Sequence, residues 1–405
     1  MTTDIRVLNT EDQLVAAANL FRTAMIGLPP MPAPRPGQIR TLHEPGRTIG
    51  AFVGDELVGT ADAVAGGLTL PGGAVVRHAA VTDVGVSPSF TRRGIATELV
   101  QHQLRDIAAR GEAVASLRAS EATIYERYGY GVASSTQSIE VLTARAALRP
   151  DVGTGGPVRL VDAADAWDVL PRICSAHRPA RPGTVDRSPM WWRALRLRSQ
   201  SSPEPSYIAV HGKPGAETGF ARYRPVDTGN WFVSDQRTIA VEDFFAPTAQ
   251  AYLGLLRFLL GLDLIDRIVF WMLPVDDPLP LLLRDRRAAK VAAVFDETWL
   301  RIVDVGATLG ARHYAAADSV AVSVTDPLLE NNSATFVITA DGAQPTDRRP
   351  DLHIDVTALA TVLLGGTTWR SQALAGRVRA DDPAALAAAD RLFAVDTAPH
   401  CGFFF

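Results

Sequence analysis

The chain has 405 residues, 47% hydrophobic and 21% charged, with a formal net charge of −4 and a pI near 6.1. That length predicts about two to four soluble domains with ample material for a core. The mild acidity argues against general nucleic-acid binding. The two cysteines, Cys174 and Cys401, are too few for a disulfide framework and lack metal-ligand spacing.

The N-terminus, Met1 to Arg6, carries no signal-peptide pattern. Ile5 to Leu8 reads as a strand and Asp12 to Met25 as an amphipathic helix. Leu28 to Pro36 is proline-rich and excludes regular structure. Thr48 to Val53 and Leu57 to Ala65 predict a hairpin, and Leu68 to Val75 a second one. Val81 to Val86 predicts a strand, because Val81, Thr82, Val84 and Val86 suit a pleat. Thr97 to Arg110 predicts a helix stopped by Gly111. Ala113 to Leu117 reads as a strand, Ile124 to Tyr128 as a short helix, and a strand follows through Ile139 to Leu142. The glycines between Pro150 and Pro157 mark a boundary.

The middle section repeats the pattern. Ala164 to Arg172 is helical, Tyr207 to Val210 and Gly219 to Arg224 pair as strands, and Ile239 to Phe244 is a strand. A helix over Ala249 to Leu262 and a strand over Ile268 to Met272 follow. The apolar run Ala251 to Ile265 contains Arg257 and Asp263 and is too short to span a bilayer. It reads as a buried helix, so a cytoplasmic protein without membrane attachment is expected. From about Glu297 onward, Ser319 to Val324 and Thr335 to Thr339 read as strands. Val356 to Leu364 and Pro383 to Phe393 read as helices. Three segments result, at 1–150, 151–296 and 297–405, of α/β (α+β) class.

The chemistry concentrates after the strand Val81 to Val86. Arg92, Arg93 and Gly94 sit where the next helix begins. A helix N-terminus offers unpaired N–H groups and the positive end of the dipole, and glycine lets an anion approach the backbone. Two arginines beside it fit a multiply charged phosphate. Further on, Ser120 to Gly131 contains Tyr125, Tyr128 and Tyr130, each of which by itself reads as an ordinary half-buried aromatic. His177 and His211, in proline- and glycine-flanked loops, are expected to face solvent or cap turns. Trp191 and Trp192 are expected to pack or to form an oligomer contact. The tail, Phe403-Phe404-Phe405, read by itself pins the chain end to a core with its carboxylate at the surface.

Val84-Gly85-Val86 followed by Arg92-Arg93-Gly94-Ile95-Ala96-Thr97 resembles the acetyl-CoA motif of the GCN5-related N-acetyltransferases (GNAT). Thr91 stands where that family usually has Gln or Arg. Over its whole length the chain resembles the enhanced intracellular survival (Eis) family, through that turn, the Ser120 to Gly131 segment and the phenylalanine terminus. The resemblance implies tandem GNAT-like domains, the first catalytic and the second degenerate, and a sterol-carrier-like C-terminal domain that delivers the terminal carboxylate. It implies acetyl-CoA as co-substrate and no metal. Val84, Gly85, Val86, Arg92, Arg93, Gly94, Ile95, Ala96, Thr97, Ser120 and Glu121 would bind acetyl-CoA. Tyr125 would act as general acid and the Phe405 carboxylate as general base. The acceptor would be a primary amine of a small molecule, with aminoglycosides as candidates, and the assembly a homohexamer. Phe404 stands where an acidic side chain helps hold polycationic substrates, with Glu44, Asp296 and Glu297 as nearby acids. A protein-lysine acetyltransferase and a non-catalytic lipid- or CoA-binding protein are the rival readings.

Overall fold

A computed structural model describes residues 3–29, 31, 32, 34–202 and 204–405. Met1 and Thr2 of the N-terminal reading, and Pro30 and Ala33 of the proline-rich one, lie outside the described residues. Twelve strands form one sheet: β1 Asp4–Val7, β2 Ile49–Val53, β3 Glu56–Thr69, β4 Val75–Val86, β5 Val114–Leu117, β6 Tyr130–Leu142, β7 Val158–Val161, β8 Tyr207–His211, β9 Gly219–Val226, β10 Thr238–Phe245, β11 Arg267–Pro274 and β12 Ala289–Ile302. Its spatial order is β1-β2-β3-β4-β5-β12-β6-β11-β10-β9-β8-β7. The helices that matter for the site are α1 Glu11–Met25, α2 Ile95–Ala109, α3 Ala122–Tyr125, α4 Ala163–Ala176, α5 Pro189–Ser201 and α6 Ala249–Leu260.

The sheet is two similar halves that exchange their last strands. In the first half β4 and β5 run parallel, joined through α2. In the second, β10 and β11 run parallel, joined through α6. The strand after β5 is β6, yet β6 pairs with β11 of the other half. The strand after β11 is β12, and it pairs with β5, Trp299 opposite Leu117. Neither half closes its sheet alone.

The structure corrects the reading of residues 48–75. The first hairpin is present as β2 with β3, Val53 opposite Glu56; the second is only the tip of a longer one, in which β3 and β4 pair along their length and turn at residues 70–74. Gly66 and Gly67, between the two predicted hairpins, lie inside β3. A Cβ on Gly67 would meet Asp186 Oδ2 at 2.8 Å, so glycine there admits a close neighbour. The helix α5 was not anticipated. Its start was encoded, since the Ser188 side chain accepts from Trp191 N and Pro189 opens the first turn. His211 was expected to face solvent or to cap a turn; it is 5% exposed and bonds Thr218 Oγ1 at 2.7 Å across the β8–β9 turn.

The last domain is a second sheet of β13 Ser319–Thr325, β14 Ala334–Thr339, β15 Gly342–Pro345, β16 Leu352–Asp355 and β17 Val378–Ala380. Its order is β15-β14-β13-β16-β17. Its core of valine, leucine and Trp369 is continuous with Leu68, Leu70 and Val76 of the first hairpin. Arg301 on β12 and Asp326 after β13, both fully buried, lock the two sheets together at 2.8 Å. Among the described residues, no helix is long and apolar enough to cross a membrane.

Candidate active site

Strand β4 pairs with β5 only at His78 to Ala80. Beyond Ala80 it keeps β3 on one side, Thr60 opposite Gly85 and Gly59 opposite Val86. A bulge sits between these registers, with Asp83 in the left-handed region at φ 51°. The two parallel strands therefore splay, and Val84, Gly85 and Val86 lie on the diverging arm. Val84 and Val86 are half-buried and Gly85 is buried under Phe21 and Ala24 of α1.

The turn after β4 leads into α2. Arg92 (φ 61°) and Gly94 (φ 86°) are both left-handed. Gly94 caps α2 without a side-chain hydrogen bond. Its first-turn N–H groups thus meet the open mouth of the turn rather than a capping side chain. Ile95 is buried and anchors the helix, whereas Arg92, Arg93 and Gly94 are exposed and Ala96 and Thr97 are half-buried. Arg93 is oriented by Ser89 O at 3.2 Å and by the Phe90 ring at 4.9 Å. Such a cradle fits a pyrophosphate. The start of α6 in the second half differs, because the Thr248 side chain accepts from Ala251 N and closes it.

Tyr125 ends α3, which follows β5 after the loop of residues 118–121. It is 6% exposed, with its ring 5.9 Å from that of Tyr130. Burial, with a smaller contribution from Tyr128, pushes its hydroxyl up to about 12, so it stays protonated at neutral pH. Tyr128 hydrogen-bonds Thr97 Oγ1 at 3.1 Å. Tyr130 is fully buried, with its hydroxyl unpartnered among the described residues. Ser120 and Glu121 are exposed on the loop before α3.

The chain end is not loose. Glu297, on β12, is 1% exposed. Its carboxylate accepts from Cys401 N, Gly402 N and Ser134 Oγ at 2.9, 2.9 and 2.8 Å. It also pairs with His400 Nδ1 at 3.1 Å and Arg118 at 3.2 Å. Burial alone would raise the Glu297 carboxyl, but His400 and Arg118 outweigh it and hold the group well below the usual carboxylate range. Arg118, the residue after β5, also donates to Phe403 O, and its guanidinium lies 5.7 and 5.8 Å from the Phe404 and Phe405 rings. Trp191 Nε1 donates to Phe404 O at 2.6 Å. The Phe403 ring packs 4.9 Å from Trp191 and 4.7 Å from the Arg187 guanidinium. Phe405 is half-buried and Phe404 is 63% exposed. The tail thus reaches the same end of β5 as Tyr125.

This arrangement occupies the acids that the sequence offered for the acceptor. Glu297 is engaged by the tail. Glu44 accepts from Ala65 N and pairs with Arg47 at 2.9 Å. Asp296 accepts from Trp299 Nε1. Asp83, which sequence reasoning passed over, lies at the bulge beside Val84. Its carboxylate makes no hydrogen bond or ion pair among the described residues. Burial, then repulsion from Asp62, pushes it up to about 6. Asp62 itself is 2% exposed and bound by His43 Nδ1 at 2.7 Å and Thr48 Oγ1 at 3.1 Å. Nothing in the local sequence marks Asp83 out; only the bulge does.

Comparison with known proteins matches this geometry. Residues 4–133 and 183–302 each match the acetyltransferase (GNAT) domain family, and residues 305–402 the sterol carrier protein domain family. N-acetyltransferase Eis of Mycobacterium tuberculosis is 33% identical over 368 residues, 88% of each chain. An uncharacterized N-acetyltransferase of Streptomyces avermitilis is 35% identical over 408 residues, 98% of each chain. The crystal structure of Eis1 from Mycobacterium abscessus has 46% identity and a TM-score of 0.92, covering 99% of this chain and 100% of its own. A GCN5-related N-acetyltransferase from Anabaena variabilis, at 21% identity and TM-score 0.84, shares the fold. Domains of the GNAT type imply acetyl-CoA as the acyl donor. The chain is an N-acyltransferase and belongs to the Eis family of GCN5-related N-acetyltransferases.

Proposed function

We propose that the first domain transfers the acetyl group of acetyl-CoA directly to a primary amine of a small molecule. The observation that carries this reading is convergence. The anion turn at Arg92 to Gly94 and the splayed arm Val84 to Val86 stand at one end of β4. Protonated Tyr125 and the anchored tail stand at the matching end of β5.

In this reading Arg92, Arg93 and the N–H groups of Gly94, Ile95, Ala96 and Thr97 hold the pyrophosphate. Val84, Gly85 and Val86 orient the donor through their backbone and polarise the carbonyl under attack. Ser120 and Glu121 border the far end of the donor. The Phe405 carboxylate removes a proton from the acceptor ammonium, directly or through water, so that a neutral amine attacks. The Tyr125 hydroxyl gives its proton to the thiolate as the carbon–sulfur bond breaks. Burial keeps that proton in place until it is needed. The second domain supplies β12 and α5, which seat the tail, and holds no donor of its own.

Aminoglycosides are candidate acceptors, although Phe404 offers them no charge. Assembly as a homohexamer in the cytoplasm completes the reading. The test is thiol release from acetyl-CoA against a panel of aminoglycosides, polyamines and lysine peptides. Thiol release that depends on a small amine, and is lost in Tyr125→Phe, is the expected result. Thiol release with lysine peptides alone would move the activity to proteins. No release with any amine, while acetyl-CoA binds, would remove amine transfer altogether.

A further inference from the structure

The second half of the sheet opens as the first does. Strands β10 and β11 pair in parallel from Thr238 with Arg267 to Val241 with Phe270. A bulge between Val241 and Asp243 follows, the counterpart of the bulge in β4. In the first half the arm beyond the bulge borders the proposed donor. In the second half the chain's own residues are tied to both sides of the opening. Past the end of β11, Asp276 accepts from Arg181 at 2.8 Å and from Ala398 N at 2.8 Å. His400 N donates to Pro182 O at 2.9 Å, which sets the tail beside the segment before α5. On the arm of β10, Asp243 accepts two bonds from the Arg187 guanidinium, at 2.6 and 3.0 Å. The tail and the segment before α5 therefore run together from the end of β11 to the arm of β10.

Arg187 is the point where they meet. Its side chain is 7% exposed and that of Asp243 is 4%. A guanidinium so buried needs good pairing geometry, and the two-pronged contact with Asp243 supplies it. Its carbon lies 5.3, 5.7, 5.7 and 5.5 Å from the rings of Trp191, Trp192, Phe220 and Phe245. Those rings belong to α5, β9 and β10. A fifth ring, at 4.7 Å, is Phe403 of the tail. The second domain thus builds the cage, and the chain end closes it. A cation shielded from water attracts aromatic faces more strongly than an exposed one. Phe403 in turn lies 5.7 Å from the Phe405 ring. A continuous line of contacts leads from Asp243 through Arg187 and Phe403 to the last residue.

We propose that Arg187, fixed by Asp243, is a positioning residue for amine transfer: it clamps Phe403 and so sets the Phe405 carboxylate at the cleft. The inference rests on the terminal carboxylate acting as base. Where the first half opens to admit a donor, the second half opens to hold the terminus. Arg187 acts on the acceptor only through the tail. Lysine would keep the charge but lose the fork that meets both oxygens of Asp243.

The test uses the full chain. Arg187→Met alone would leave Asp243 buried without its partner, so it is combined with Asp243→Asn. Release of Phe405 by carboxypeptidase, followed by mass spectrometry, reads the hold on the tail. Release should quicken about tenfold or more in the double variant, because a locally opened end is cut faster. Circular dichroism and acetyl-CoA affinity should match wild type. With a small-amine acceptor, kcat should fall about tenfold or more, the cost of a misplaced base. Residues appended after Phe405 should lower kcat in wild type but lower it no further in the double variant, since both changes act on one element. A merely structural pair would give additive losses. Phe403→Leu leaves the ion pair intact and should quicken release in the same way, which keeps the test open if the double variant does not fold. Release at the wild-type rate overturns the inference and leaves the terminal base standing. Faster release with unchanged kcat overturns both the positioning role and the terminal base. Faster release in a protein that acetylates no amine supports the clamp and removes the amine-transfer reading.

Discussion

In the proposed mechanism Tyr125 is the acid, and its burial suits it to that one step. A phenol in water already holds its proton at neutral pH; a desolvated one holds it more firmly. Two outcomes follow. Tyr125→Phe should lower kcat by about two orders of magnitude, with acetyl-CoA affinity by calorimetry unchanged. Because the hydroxyl titrates near 12, kcat should show no alkaline decline from its ionisation below about pH 10. The sequence offered three tyrosines in one segment. Their surroundings differ: Tyr128 is bonded to Thr97 and Tyr130 is fully buried beside Tyr125, which supports Tyr125 as the proposed donor. Asp83 was invisible in the sequence for the opposite reason. An aspartate within an alternating strand carries no mark of its own, and only the left-handed bulge sets it apart.

At the scale of elements, the strand–turn–helix from Val81 to Val100 is a local device, and the sequence displayed it almost whole. A Cβ on Gly94 would have no atom within 4 Å of it, so space does not demand glycine there. Its φ of 86° does. Gly94→Ala should cost about 1 kcal/mol and raise the KM for acetyl-CoA, read from initial rates. The tail is an element of another kind, with no helix or strand. Its path is set by carbonyls and N–H groups bound to Arg118, Trp191 and Glu297. Residues added after Phe405 should therefore reduce turnover sharply without lowering thermal stability. Full activity with such an extension would remove the terminal carboxylate from the mechanism.

Across the whole molecule, the exchange of β6 and β12 makes each half of the sheet depend on the other. Strand β12 closes the first half against β5 and carries Glu297, which seats the tail, and Arg301, which docks the last domain. The depressed Glu297 carboxyl contributes stability above the unfolded-state value of about 4.3. That contribution is lost as pH falls below that value and through the folded one. Glu297→Gln should lower stability at neutral pH by about 3 kcal/mol, because Arg118 and His400 lose their charge partner. It should also flatten the fall in stability below about pH 5, measured by urea unfolding across a pH series, and reduce kcat with the tail released.

The sequence by itself determined the local features: the glycine turn with its two arginines, the tyrosine after the next strand, the repeated strand–helix–strand order and the aromatic end. Each of these is written in neighbouring residues, within the reach of backbone geometry and a single helix cap. Tertiary structure decided everything that depends on residues far apart in the chain. It swapped the last strands of the two halves, buried Glu297 under the tail instead of leaving it for an acceptor, and brought Arg118 of the first domain onto the Phe403 carbonyl of the chain end. The reason is physical. Hydrophobic periodicity fixes which face of an element is buried, but it does not say which distant charge that face will meet.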